Sequence, residues 1–66
     1  MFQEYDVVRL RETSDTVTLP AGTKGTVLMI YPDTKNAYEV EFVDDAGNSL
    51  GTFSVSETDL IFDASS

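Results

Sequence analysis

In Tyr38-Glu39-Val40-Glu41-Phe42, apolar and charged residues alternate without a break. A period of two puts Tyr38, Val40 and Phe42 on one face of a strand and Glu39 and Glu41 on the other. A helix would scatter these residues around its circumference, so the stretch is a half-buried β-strand. Nowhere do apolar residues recur at helical spacing over two turns. Short runs rich in Val, Ile, Tyr, Phe and Thr alternate instead with clusters of turn residues, and the chain reads as all-β.

The remaining elements follow from the same pattern. Tyr5–Leu10 is a first strand, with Val8 and Leu10 on one face and Val7 and Arg9 on the other. Arg11–Thr18 is polar and suits a long meandering loop. Thr26–Tyr31 is almost continuously apolar, so it is expected to be the central strand, with both faces covered somewhere along its length. Pro32–Asn36 is a turn cluster leading into the alternating strand, and Asp44–Asn48 closes a second hairpin. Ser49–Ser54 follows as a fourth strand, with Gly51 at a bulge or bend. Ser56-Glu57-Thr58-Asp59 has the form of a capped turn with room for one 3-10 turn before a last strand, Leu60–Phe62.

Five such strands with a 3-10 turn before the last form the layout of a small SH3-like barrel, whose wrapped sheet leaves little open edge. No linker or repeat divides the chain. Only residues 1–4 and 63–66 look frayed, giving a single domain with an ordered core of about 5–62.

A domain of 66 residues buries only roughly 60% of the surface its unfolded chain exposes. With no cysteine and no histidine, neither disulfides nor the usual zinc ligands reinforce the fold, and modest stability is expected. The same composition, with no basic and apolar leader at the N-terminus, fits a cytoplasmic protein. The longest apolar run, Val27–Tyr31, is far short of the ~20 residues that cross a bilayer as a helix.

Twelve acidic residues against four basic ones leave a net charge of −8. Such a field repels phosphate backbones and anionic lipid, so nucleic acid is a poor partner and a basic protein surface a natural one.

PAGTKGTV, residues 20–27, resembles the start of a phosphate-cradling loop. Its glycines, however, have the spacing G-x-x-G, the lysine precedes the second glycine, and a strand follows instead of a helix. Leu19–Gly22 fits a type I turn, and Gly25 is expected to let the backbone turn sharply into the second strand.

Glu39, Glu41, Asp44 and Asp45 concentrate negative charge around one strand and its turn. A catalytic carboxylate pair needs a cleft and one raised pKa, which a domain this size has little room to build. The Asp44-Asp45 turn also lacks the alternating oxygen ligands and final Glu of an EF-hand loop. Without cysteine, histidine or a G-x-S-x-G elbow, no nucleophile–base pair is evident. The chain reads as a non-enzyme without catalytic residues, metal or cofactor. Among the aromatics, Tyr38, Phe42 and Phe53 fall on inward positions. Tyr5 and Tyr31 are less clearly inward, as suits tyrosines with one wet end.

YDVVRL at 5–10, PAGTKGTV at 20–27 and AYEVEFVD at 37–44 resemble a domain-of-unknown-function family of short bacterial proteins. More distantly, the strand followed by G-x-x-G-x-V is similar to KOW-type and other SH3-like barrels. The resemblance implies an architecture and a bacterial source, and brings no catalytic residue. The sequence departs from nucleic-acid-binding KOW domains in charge, Lys24 and Lys35 being its only lysines.

The expected function is therefore a small acidic interaction module. It would dock on a basic protein partner, with Glu39, Glu41, Asp44 and Asp45 steering the encounter and Tyr31 and Tyr5 as candidate anchors. The alternatives are a KOW-like nucleic-acid or ribosome-associated module and, below it, a small-ligand or weak metal binder.

Overall fold

The computed structural model describes residues 2–11, 17–31 and 37–63. The turn expected at Pro32–Asn36 and most of the polar loop after the first strand lie outside the described residues. The strands are β1 Val7–Leu10, β2 Lys24–Tyr31, β3 Ala37–Val43, β4 Ser49–Ser56 and β5 Leu60–Phe62, with a 3-10 turn, η1, at Glu57–Asp59. They form one antiparallel sheet in the order β4-β3-β2-β1-β5. Five strands, a central β2 and a 3-10 turn before the last strand agree with the expectation from sequence.

One face of the sheet carries the core. Val8 and Leu10 of β1, Val27 of β2, Tyr38, Val40 and Phe42 of β3, Val55 of β4 and Leu60 of β5 are all buried in one cluster. With no second layer among the described residues, the sheet must bend over its own inner face to cover that cluster. Phe53 joins it from β4, its ring 5.9 Å from Phe42.

Both chain ends contribute more than their composition suggests. Phe2 is buried, its ring edge-on to Tyr38 at 5.5 Å, and its N–H donates to the Tyr38 hydroxyl at 3.1 Å. That hydroxyl in turn donates to Oε1 of Glu57 at 3.0 Å, so one buried tyrosine fastens the N-terminal segment and η1 together. Burial pushes its pKa up. At the other end Asp63 is buried, with Nε of Arg9 3.4 Å from its Oδ2 and its N–H donating to Val7 O at 3.0 Å. Buried residues thus lie on either side of 5–62, Phe2 with an aromatic partner and Asp63 with a cationic one. Val17, in the loop expected to be polar, is fully buried as well.

β2 is central, yet only its first half is covered. β1 pairs with Lys24–Thr26 alone, and a bulge separates Val27 from Met29. From the bulge onward, Leu28, Met29 and Ile30 are 37%, 44% and 38% exposed. The expected cover stops at Val27, because β2 outruns β1 and among the described residues no second layer stands over the part that projects.

The glycine corner differs in detail. The turn runs from Pro20 to Thr23, whose N–H donates to Pro20 O at 3.2 Å, one residue later than expected. Gly22 has φ +87° at its third position, the geometry of a type II turn. Gly25 has no left-handed backbone; it is a strand residue opposite Val8 and Phe42. The predicted bulge at Gly51 is present, with φ +126° and a register shift beside it. Ser56 stands at the N-cap of η1, but its hydroxyl lies 3.1 Å from that of Thr58 and caps no backbone group.

Candidate functional site

The outer face of β3 presents Ala37, Glu39, Glu41 and Val43, the residues that alternate with its buried ones. Register decides their neighbours. Glu41 lies between Thr26 of β2 and Thr52 of β4, and Glu39 between Met29 and Ser54. The Tyr31 hydroxyl donates to Oε1 of Glu39 and lies 3.3 Å from Oγ of Ser54. Two half-buried carboxylates therefore run along one strand in a frame of hydroxyls. Their Cα atoms are about 6.8 Å apart at the usual strand rise. Among the described residues neither is paired with a lysine or arginine, so each keeps lone pairs for an incoming ammonium or guanidinium.

Asp44 serves its own turn. Its Oδ1 accepts the N–H groups of Ala46 at 2.9 Å and Asn48 at 2.8 Å, and its Oδ2 the Asn48 side chain at 3.3 Å. The Asn48 N–H above all, with the Asn48 amide and the N–H groups of Ala46 and Gly47, holds its pKa below the ordinary carboxylate value. Gly47, at φ +88°, closes this hairpin with a left-handed residue. Asp45 beside it is exposed.

Tyr5 is apart from this group. It precedes β1 in a turn held by Asp6, whose N–H donates to Gln3 O at 3.1 Å and whose Oδ2 accepts Gln3 N–H at 2.8 Å. Its φ of +69° is uncommon for an aromatic residue, and its side chain is 72% exposed. Of the six residues singled out in the sequence, Tyr31, Glu39 and Glu41 thus share one surface. Asp44 and Asp45 occupy the turn at its end, and Tyr5 lies across β2 beside Val27.

A cavity of about 210 Å³ lies between the glycine corner and that turn, with Pro20, Lys24, Asp45 and Leu50 in its lining. It is smaller and shallower than the usual small-molecule site. Among the described residues no three acidic side chains converge as ligands for a metal ion. Nor is any helix there long and apolar enough to cross a membrane.

Two polar residues escaped the sequence reading, Tyr38 as a buried hydrogen-bonding centre and Arg9 as the partner of Asp63. Arg9 also donates to Gly22 O at 2.8 Å, joining the chain's end to the glycine corner. The signal for Tyr38 was available, since a tyrosine on an inward position needs a partner for its hydroxyl.

The chain belongs to a family described as a domain of unknown function, DUF4926, whose model matches residues 4–62. No curated protein and no solved structure matches the chain significantly.

Proposed function

We propose that this domain is a non-catalytic interaction module that docks on a basic protein surface through the outer face of β3. The carrying observation is the Glu39–Glu41 strip: two half-buried carboxylates on a rigid strand, framed by hydroxyls and unpaired with any cation among the described residues. Lysine or arginine side chains of a partner would find acceptors there whose positions are set in advance, which lowers the ordering cost of binding. The net charge of −8 would draw such a partner in and raise the rate of encounter.

Asp44 has no direct part in this role, its carboxylate being engaged within its turn, whereas exposed Asp45 adds to the field. Tyr31 acts mainly by holding Glu39. A cytoplasmic, bacterial setting goes with this reading, on the cysteine-free composition and the family resemblance.

The test uses wild type and the Glu39→Gln/Glu41→Gln double variant as baits in a lysate of the native host. A basic protein captured by wild type at low salt, lost from the variant and released by added salt, is the expected outcome. Equal capture by both baits, or none by either, would sink the proposal. A low-salt gel shift with RNA and DNA separates the KOW-like alternative, since clear retardation there would put nucleic acid first.

A further inference from the structure

We infer that β4 is a self-pairing edge, through which two copies of this chain join their sheets about a two-fold axis at Phe53. β4 stands at the end of the sheet, and among the described residues its backbone pairs only with β3. Among the described residues the wrapping expected from sequence to hide such edges does not cover it. Over its eight residues, Ser-Leu-Gly-Thr-Phe-Ser-Val-Ser, it carries no charged residue and no proline. Charge and proline are two of the devices by which natural sheets keep their edges apart; a third, the bulge at Gly51, is confined to the start of the strand and leaves Thr52–Ser56 in regular register with β3. The opposite edge is blunted: β5 is three residues long and flanked by Asp59 and Asp63.

Charge selects the place. A chain carrying −8 repels a second copy over most of its surface, and close approach requires an uncharged strip long enough to pair. β4 supplies one. Pairing at this edge puts the two β3 strands three strand spacings apart, about 14 Å. That exceeds the screening length of roughly 8 Å at physiological salt, so the Glu39–Glu41 strips of the two copies need not oppose it.

The strand is also complementary to itself. An antiparallel pair centred on Phe53 sets Thr52 of each copy opposite Ser54 of the other on the outer face, a favourable hydroxyl pair. On the inner face it brings the two half-buried Phe53 rings together and covers the rim of the core they leave open. The result is one continuous sheet with two-fold symmetry, the commonest form of homodimer.

Sedimentation equilibrium of the whole chain tests this, between about 20 mM and about 500 mM NaCl. A reversible dimer that tightens as salt rises is expected, because salt screens the repulsion between acidic copies. Docking on a basic partner weakens with salt, so the two proposals stand or fall separately. Thr52→Lys/Ser54→Lys should weaken self-association roughly tenfold by setting ammonium groups opposite each other across the axis. Within each copy the same groups lie opposite Glu41 and Glu39, which favours the fold. Should that variant not fold, amide exchange on wild type gives the same answer: β4 amides should slow as protein concentration rises. A chain monomeric up to about 1 mM overturns the inference. So does a dimer that survives the double substitution, or one that Ile61→Lys on β5 abolishes instead.

Discussion

Gly25 lies so close to Val40 that a Cβ added to it would stand 2.6 Å from Cγ1 of that valine, and 2.9 Å from Cδ1 of Phe42. Both neighbours belong to the buried face of β3, where no side chain is free to move aside. Gly25→Ala should therefore lower stability by about 1–3 kcal/mol in chemical denaturation, through overpacking. Gly22→Ala should cost about 1 kcal/mol for a different reason, its left-handed φ of +87° with open space around it. Gly22→Asn should be tolerated and Gly25→Asn should not, which separates the two causes. Lys24→Ala, between them and exposed, should stay within about 0.5 kcal/mol of wild type.

Asp44 should give the domain an acid limb. Its folded pKa is lowered, chiefly by the Asn48 N–H, so the folded state favours the ionised form. The stabilisation is complete above the unfolded value of about 3.9 and is lost as pH falls through the lower folded value. Melting temperatures measured from pH 6 down to about pH 2 should fall most steeply below about pH 4. Asp44→Ala should be less stable at neutral pH and show a shallower fall.

Tyr5 holds φ +69° with its ring largely in solvent. Asparagine adopts that backbone more readily and gives up no core contact here. Tyr5→Asn should raise the melting temperature by about 4–8 °C if the whole cost of roughly 1 kcal/mol is relieved. An unchanged or lower melting temperature would show that the exposed ring stabilises the turn.

Arg9 places its guanidinium beside a carboxylate that is 6% exposed and also holds Gly22 O. Arg9→Met removes both contacts, and about 1–2 kcal/mol should be lost in urea unfolding. Asp63→Asn should cost less, because it removes the buried charge together with its need for a cation.

The strands most legible in the sequence were those whose periodicity and partners agreed. β3 alternates strictly, and its three inward residues are buried. Gly51 and the Asp44–Asn48 turn were legible because positive φ favours glycine locally, whatever the rest of the chain does. β2 was misjudged past Val27: an apolar run shows a preference for burial, but the end of β1 decides whether cover exists. Of the candidate site, Glu39 and Glu41 were readable as outward residues. That Tyr31 would reach Glu39 depended on the bulge at Leu28, which resets the faces of β2.

The sequence by itself determined the class of structure, the inward and outward faces of β3, the glycine turns and the surplus of negative charge. These follow from side-chain period, backbone sterics and composition, all local or additive properties. Tertiary structure alone decided that Gly25 serves close approach instead of turning, that Phe2, Val17 and Asp63 belong to the interior, and that Asp44 is engaged within its turn while Glu39 and Glu41 have no cationic partner among the described residues. It decided too that β4 stands at the end of the sheet. Each depends on which strand lies beside which and in what register, and pairing across the sheet is set by the fit of the whole core.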